Sequence, residues 1–413
     1  MKKLNINKFA KISVGGCSWI FLIFFGWIFF NCVFRNSNDL VHYNMRTIMP
    51  ISILLLILII LFVTFNNKVF INNSFFNRNK KIFLILSFLF IFITQIILAR
   101  EIYFDCGWDA GLVIRCAKAF VEDVSAFDIG YFLRFPNNIF LLWLEKNIYI
   151  FSRLLSSISY EFLLVIINVI LVDISILLSL LVARKLLDNT TLIISYIFSI
   201  LILLFSPWIV VPYSDTFSMV FPILNIYLYL KIKESKKIQS KVILALLIGI
   251  LSIIGYQIKP TAIISLIAIV ISGLLYSFKD KKSFILYFLI VACIGVSAFV
   301  AKIVYNNTIY TMEVNGVKLN SDEDSQAPMT HFLMMGLNTR EIEDRGTLYG
   351  AWREEDYNIT FSYKTKQEKI DANIHEYVDR VRNLGIFGYL KYELGIFLDV
   401  FFVSFFIVSK VVN

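Results

Sequence analysis

Residues 101–138 read EIYFDCGWDAGLVIRCAKAFVEDVSAFDIGYFLRFPNN and lie between two apolar runs. The stretch is rich in charged side chains, among them Asp105, Asp109, Glu122, Asp123, Asp128, Arg115, Lys118 and Arg134. Carboxylates held against a bilayer surface are costly unless they are solvated, paired or used in function. We therefore interpret the rest of the chain as a scaffold that places this loop at the rim of a membrane cavity.

The composition is that of a membrane protein. Hydrophobic residues make up 58% of the chain, and Phe alone occurs 40 times. The mean hydropathy is +0.74. Soluble domains contain about 45–50% apolar residues. The net charge of +9 matters less than the places where the basic residues cluster.

About ten apolar segments have the length of a membrane span. With the N-terminus inside, every short inner loop carries Lys or Arg, as cytoplasmic loops do. This predicts a plasma-membrane protein with both termini in the cytoplasm and with residues 101–158 and 305–388 outside. The predicted spans are residues 12–34, 48–65, 82–100, 159–183, 191–211, 215–231, 241–257, 261–277, 284–304 and 389–410.

The first outer loop is predicted to carry surface helices. Residues 138–151 (NIFLLWLEKNIYIF) are apolar but short, and Glu145 and Lys146 interrupt them. An amphipathic helix lying on the outer surface preserves the alternation of basic loops, whereas a membrane span would reverse it. Cys106 and Cys116 share this loop, and both a disulfide and two free thiols are open alternatives.

The second outer piece is predicted to be a small mixed α/β segment. The runs TIYTMEVNGVKL and NITFSY alternate like strands, and an amphipathic helix is expected from Lys366 to Asn383. HFLMMGLN and GTLYG suggest a compact loop that folds over a cleft. The expected fold is an all-α polytopic membrane protein with these outer additions. Its predicted parts are residues 1–81, a core of 82–304 with the loop 101–158, an outer segment of 305–388, and 389–413.

Several charged side chains fall together at the predicted outer boundary. Asp109 and Asp105 are candidates for a general base that deprotonates an acceptor hydroxyl, and the sequence does not rank them. Arg134 and Lys259 are candidates to hold a phosphate group, by forked hydrogen bonds and as a point charge. Each residue taken singly also fits an ordinary role. Asp109 would then be a helix cap and Lys259 would extend its ammonium to the interface.

Three further residues are candidates for supporting such a site. Asp215 could pair with Arg134 or Lys259, orient the acceptor or cap the next helix. Asn137 follows Phe135 and Pro136 in the stretch before the surface helix. His331 is a candidate too, although a lone histidine is more often structural.

These features resemble the GT-C glycosyltransferases, which are polytopic enzymes that use polyprenyl-phosphate sugars. The outer stretch MMGLN, followed by a Tyr and then EDYNIT, is similar to the Gram-positive branch of predicted membrane glycosyltransferases. The resemblance covers residues 82–410 loosely. The matching positions are Asp109 with Ala117, Phe135-Pro136-Asn137-Asn138, Ser206-Pro207 through Asp215, and Lys259-Pro260.

The resemblance implies inverting transfer of a hexose or pentose on the outer face of the membrane. The donor would be a polyprenyl-phosphate sugar, and the acceptor a glycan, lipid or protein of the cell envelope. The donor type needs no cofactor and no obligatory metal, although an acidic loop could bind a divalent ion. Membrane lipids are expected partners and nucleic acid is not. A lipid-linked substrate transporter or flippase and a polysaccharide polymerase or ligase are the alternatives.

Overall fold

The computed structural model describes most of the chain from Ser74 onward. The predicted spans 12–34 and 48–65, and most of 191–211, lie outside the described residues. The described residues are 16, 19, 23 and 74–406, without 156, 189–191, 193–194, 197–198, 200–206, 279, 343–345 and 351.

The described residues form two compact units. The helical-bundle unit comprises residues 74–129 and 137–319, and the C-terminal unit comprises residues 130–136 and 320–406. The short segment 130–136 thus belongs with residues that follow it by almost two hundred positions. The sequence pattern had kept this segment within the first loop.

The helical-bundle unit is built from helices and ends in one short hairpin. Asn315 and Gly316 form the hairpin turn with φ angles of 51° and 77°, which suits a tight turn between strands. Its elements are α1 (Ser74–Glu101), α2 (Asp109–Glu122), α3 (Ile129–Arg134, which runs into the C-terminal unit), α4 (Ile139–Ser152), α5 (Tyr160–Leu186), α6 (Ser214–Ser218), α7 (Val220–Glu234), α8 (Ile238–Ile258), α9 (Ile264–Ser277), α10 (Lys281–Thr308), β1 (Glu313–Val314) and β2 (Val317–Lys318).

Four segments among the described residues are long and apolar enough to cross a membrane. They correspond to predicted spans at 159–183, 241–257, 261–277 and 284–304. The predicted span 82–100 lies within α1, and 215–231 is divided between α6 and α7. The four segments are Tyr160–Leu186, Ile238–Ile258, Pro260–Ser277 and Lys281–Thr308.

The long helices of the bundle run in both directions between two distinct ends. At the basic end, where α5 and α7 stop and α8 and α10 start, Lys185 pairs with Glu234. At the loop end, where α1, α8 and α10 stop and α5 starts, Lys259 pairs with Asp215. Helix α8 packs against α7 and α10 between these ends. The described basic residues of predicted cytoplasmic loops, at 184–185, 231–241 and 281–282, therefore lie at the basic end, whereas the clusters at 2–11, 68 and 410 lie outside the described residues.

The C-terminal unit contains more helix than the sequence pattern predicts. NITFSY was expected to be a strand, but its first four residues complete α12, whose first turn carries Glu354, Glu355 and Asp356. Acidic side chains in the first turn stabilise a helix through its dipole. HFLMMGLN, expected in a loop, lies largely in α11, and GTLYG supplies a strand. The elements are α11 (Met329–Met335), β3 (Thr339–Ile342), β4 (Gly346–Tyr349), α12 (Glu354–Phe361) and α13 (Lys366–Phe406).

Helix α13 is interrupted at Gly385. This residue has φ 61° and ψ 175°, a conformation that glycine adopts at little cost. The part before Gly385 covers the predicted amphipathic helix Lys366–Asn383. The part after it covers residues 389–406 of the predicted span 389–410, and residues 407–413 lie outside the described residues.

Candidate functional site

The loop between α1 and α2 folds back tightly onto α2. A side chain at Gly111 would place its Cβ 1.7 Å from the carbonyl oxygen of Cys106, so only glycine permits this approach. The Arg115 guanidinium lies 3.5 Å from the same carbonyl. Residues 103–106 are thereby held against the face of α2 that carries Arg115.

A cavity of about 260 Å³ lies between this loop, α2, the start of α5 and residues 210–212. We call it the loop-end cavity. It brings two carboxylates and two cations together with a phenol and an apolar floor. Its lining residues are Tyr103, Phe104, Asp105, Cys106, Gly111, Ile114, Arg115, Lys118, Glu161, Val210 and Pro212.

Buried side chains hold the far wall of the cavity in place. Asn168 of α5 is fully buried, and its amide donates to the carbonyl oxygens of Trp208 and Ile209 at 3.1 and 2.9 Å. These carbonyls belong to the short 3-10 helix Pro207–Val210. Val210 then packs in a buried cluster with Ala99, Ala110 and Val165. Helix α5 therefore helps to hold this wall, from a position about forty residues earlier in the sequence.

Asp105, one of the two predicted bases, lies in this cavity. Its Oδ1 accepts a hydrogen bond of 2.9 Å from the Tyr103 hydroxyl. Burial raises the pKa of Tyr103, and the hydrogen bond to Asp105 raises it further. The phenol therefore stays protonated and orients the carboxylate, which remains accessible to a bound hydroxyl.

Asp109, the other predicted base, occupies a different position. It is the exposed first residue of α2, and it does not line the loop-end cavity. Trp108 is the N-cap, so the prediction that Asp109 itself is the cap is wrong. A carboxylate in the first turn still stabilises the helix through the dipole.

The cysteines of the loop are free thiols. Cys106 and Cys116 are both buried and unbonded, so of the two open alternatives the structure adopts the thiols. Burial raises the pKa of Cys106 to about 11, and the nearby carboxylates of Asp105 and Glu145 add to the shift. The Cys106 thiol is therefore protonated at neutral pH and is a poor nucleophile.

Lys259, predicted to hold a phosphate, forms an ion pair with Asp215. Both side chains are partly exposed, with relative areas of 31% and 58%. Lys259 caps the end of α8, and Asp215 lies in the first turn of α6. The two residues thus form the pair that the sequence left open as one alternative. The anion beside Lys259 is the Asp215 carboxylate, whereas the sequence also predicted a ligand phosphate there.

The remaining predicted residues are divided between the units. Asn137 belongs to the helical-bundle unit and is exposed within the 3-10 helix Pro136–Asn138. Arg134 belongs to the C-terminal unit, where it lines a second cavity. His331 is buried in the same unit, with its Nδ1 2.7 Å from the Thr360 hydroxyl. Burial lowers the pKa of His331, although Asp356 opposes the shift, so the imidazole is a neutral structural group.

Sequence reasoning missed the other charged residues that line the cavity with Asp105. Arg115 and Lys118 are three residues apart on α2, a spacing that places both on one helix face. Glu161 follows Tyr160 in the first turn of α5, where an acidic residue is common and does not by itself indicate a site. The spacing of Arg115 and Lys118 was a usable signal. Nothing local indicated that Glu161 would join them.

The described residues also contain polar groups within the predicted spans. Asp173 lies near the middle of α5 beside Gln95 of α1, whose side chain is fully buried. The prediction placed the charged side chains at the outer boundary, and it did not include these polar residues within the spans. Within the described part of the chain, no group of three or more His, Cys, Asp or Glu side chains is arranged to hold a metal ion.

The chain belongs to a family described as conserved hypothetical integral membrane proteins, which matches residues 9–395. Family membership and the four apolar segments together make this an integral membrane protein. No curated protein matches the chain, and no solved structure does.

Proposed function

We propose that this protein is a membrane glycosyltransferase that moves a sugar from a polyprenyl-phosphate donor to an acceptor hydroxyl. The observation that carries the proposal is the loop-end cavity, which combines Asp105 with Arg115 and Lys118 at the end of a bundle of apolar helices. Such a reaction needs a base for the acceptor and cations for the leaving phosphate, next to a surface on which a lipid tail can lie.

The cations of the cavity are available to an anion. Lys118 is 3.9 Å from Glu122, and both side chains are about half exposed, so this pair is weak. The Arg115 guanidinium makes one long contact, of 3.5 Å, to the backbone carbonyl of Cys106. Arg115 and Lys118 therefore replace Lys259 as our preferred phosphate ligands, because Lys259 already faces Asp215.

The proposed step is a direct displacement at the anomeric carbon. Asp105 takes the proton of the acceptor hydroxyl, and the acceptor oxygen forms the new bond to that carbon. The bond from the carbon to the phosphate oxygen breaks, and its electron pair leaves with the polyprenyl phosphate. The configuration inverts. Arg115 and Lys118 stabilise the charge that develops on the leaving phosphate.

Release of polyprenyl phosphate tests the proposal. The full chain in lipid nanodiscs is incubated with polyprenyl-phosphate glucose, mannose or arabinose, and free lipid phosphate is quantified. We expect release from at least one donor. Asp105→Asn should lower the rate by about a hundredfold or more, since that is the usual contribution of a general base. The matched control is Glu101→Gln, an exposed acid outside the cavity, which should keep the wild-type rate.

Asp109→Asn separates the two predicted bases. We expect it to retain most of the activity, because Asp109 does not line the cavity and Asn preserves its size. Loss of activity in Asp109→Asn with normal activity in Asp105→Asn would overturn the assignment of the cavity as the active site.

Lipid transport is the second candidate, favoured by Asp173. An ionisable residue in the middle of a predicted span is a functional candidate for a transporter. A transporter releases no lipid phosphate from any donor in the assay above. That outcome would overturn glycosyl transfer and leave transport of a lipid-linked substrate.

A further inference from the structure

The C-terminal unit contains its own cavity, of about 810 Å³, which we call the C-terminal cavity. Three cations line it, namely Arg134, Lys364 and Lys369, against one carboxylate residue, Asp324. Three aromatic side chains line it too, with small polar groups between them. The complete lining is Gly130, Leu133, Arg134, Asp324, Ser325, Tyr357, Asn358, Phe361, Ser362, Tyr363, Lys364 and Lys369.

Lys369 is the most unusual of these residues, because it is a lysine with only 3% of its area exposed. Its ammonium donates to the backbone carbonyl of Asp324 at 2.6 Å and lies 4.6 Å from the centre of the Phe361 ring. No carboxylate lies within salt-bridge distance of it in the described residues. A buried ammonium held by a carbonyl and a ring has no ion-pair partner, which favours an anion nearby.

The nearby acids are engaged elsewhere. Asp324 Oδ1 accepts a hydrogen bond from the backbone N–H of Lys366 at 2.8 Å. Asp322 accepts from the backbone N–H groups of Asp324 and Ser325, each at 3.1 Å. Both carboxylates thus hold the loop 322–325 and α13 in shape, although their charge still acts on Lys369 over a longer distance.

Arg134 adds a second cation with unused hydrogen-bonding capacity. Its Nε is buried and has no hydrogen-bond partner. Its backbone carbonyl accepts from Ala327 at 2.9 Å, and the adjacent Phe135 ring meets Phe361 at 6.2 Å. The backbone around Arg134 is therefore anchored within the C-terminal unit, while a donor of its side chain remains available. Guanidinium groups recognise phosphate and carboxylate by forked hydrogen bonds.

The aromatic side chains indicate what carries the anion. Phe361 is covered by Lys369 and by Tyr357, whose ring centre lies 4.5 Å away. Tyr363 is more open, with 44% of its area exposed. Tyrosine combines an apolar face with a hydroxyl, and Ser325, Asn358 and Ser362 add further polar groups. A saccharide ring has the matching combination of apolar C–H faces and hydroxyl groups.

We propose that the C-terminal cavity binds a phosphorylated saccharide, with Lys369 and Arg134 on the phosphate and Tyr363 beside the sugar ring. The ligand is a sugar phosphate either free in water or carried as the headgroup of a lipid. The inference rests on the C-terminal unit alone and stands independently of glycosyl transfer at the loop-end cavity.

Titration calorimetry on the full chain in detergent tests the proposal. The probes are glucose 1-phosphate, inorganic phosphate and glucose, together with farnesyl-phosphate glucose as the lipid-carried form. We expect glucose 1-phosphate to bind more tightly than either of its parts. Lys369→Met should weaken that binding about tenfold or more, as expected for losing a charge-assisted hydrogen bond. Arg134→Gln should weaken it comparably.

Lys366→Met is the matched control. Lys366 lies on the same helix, pairs with Glu323 at 3.0 Å and does not line the cavity, so its loss should leave the affinity unchanged. Melting curves of each variant establish that it is folded, and Lys364→Met provides a surface variant where Lys369→Met is unstable. Equal affinity of wild type, Lys369→Met, Lys364→Met and Arg134→Gln would overturn the proposal.

The lipid-carried probe distinguishes the two sources. Tighter binding of farnesyl-phosphate glucose than glucose 1-phosphate, with the same loss in Lys369→Met, indicates a lipid headgroup. Equal binding of both indicates a soluble sugar phosphate. Binding of inorganic phosphate as tight as that of glucose 1-phosphate overturns the role of the sugar. Failure of glycosyl transfer with intact binding of glucose 1-phosphate would refute the proposed activity but not this binding site.

Discussion

Two charged residues of the C-terminal unit, Lys369 and Asp356, are more deeply buried than the Lys259–Asp215 pair at the loop end of the helical bundle. Lys259 at the loop end is partly exposed and forms an ion pair with Asp215, whereas Lys369 is almost fully buried and bonds to a carbonyl. An exposed ion pair contributes little because water solvates both charges without it. A buried charge depends on each of its partners. Burial should therefore rank the effects of substitution better than the number of contacts.

Arg380→Met should have the largest effect on stability. Arg380 donates to the fully buried Asp356 at 2.6 Å, to Glu376 at 2.8 Å and to the Met334 carbonyl at 2.9 Å. Removing it leaves the Asp356 carboxylate without its cation, which typically costs about 3–5 kcal/mol. Hydrogen exchange of α12 and α13 measures the loss.

Arg382→Met is the control for that prediction, because Arg382 is 75% exposed and lies 3.6 Å from Asp379. Asp356→Asn in the Arg380→Met background should recover part of the stability, since no buried charge remains. If Arg380→Met and Arg382→Met behave alike, burial does not separate these charges.

Glu145→Gln should have an intermediate effect that depends on pH. Glu145 is fully buried, and neither carboxylate oxygen has a hydrogen-bond partner. Burial raises its pKa well above the ordinary value. Above about pH 4.3, the unfolded chain therefore binds fewer protons at this residue than the folded one, so stability falls as the pH rises towards the folded-state pKa. Glu145→Gln should remove this slope and stabilise the bundle most at the alkaline end of that window.

Melting temperatures of wild type and Glu145→Gln across pH 5 to 8 provide the measurement for this prediction. Glu101→Gln, at an exposed position, should retain the wild-type slope. Parallel profiles for wild type and Glu145→Gln would show that the carboxyl group is not buried in the folded protein.

Lys259→Met should have the smallest effect. Loss of the exposed pair with Asp215 should change the free energy of unfolding by at most about 1 kcal/mol. Donor affinity, titrated with the polyprenyl-phosphate sugar that wild type uses, should also stay unchanged, because Asp215 already compensates the ammonium. Lys259→Arg is the control that keeps the charge. Weaker donor binding in Lys259→Met than in Lys259→Arg would restore Lys259 to the phosphate site that the sequence predicts.

Much of the bundle was predictable from local properties of the sequence. Helix α5 and helix α10 match predicted spans because an apolar run of sufficient length determines a span without help from the rest of the chain. Helix α4 was predicted as a helix, but the prediction of an amphipathic surface helix did not foresee that Leu141, Leu142 and Glu145 are fully buried. NITFSY was predicted wrongly, because its short alternating pattern concealed the acidic first turn of α12 that precedes it.

The candidate sites were predictable only in part. Asp105 was one of two acids that the sequence could not rank, and its position relative to the cavity separates it from Asp109. That position depends on the close approach of the Cys106 carbonyl to Gly111, which no local sequence pattern predicts. Lys369 lies in a polar helix and looks like one more solvated lysine until α12 and the loop 322–325 cover it.

The sequence by itself determined the class of the protein, the positions of its long apolar helices and the clustering of its basic loops. Transfer of apolar side chains from water is a property of each segment and adds up along it, so composition is sufficient. The tertiary structure decided which charges meet. Asp215 and Lys259 are 44 residues apart in sequence. Arg134 and Lys369 line the same cavity although more than two hundred residues separate them. Electrostatic partnership depends on distance and burial in the folded chain, and neither is a property of any one segment.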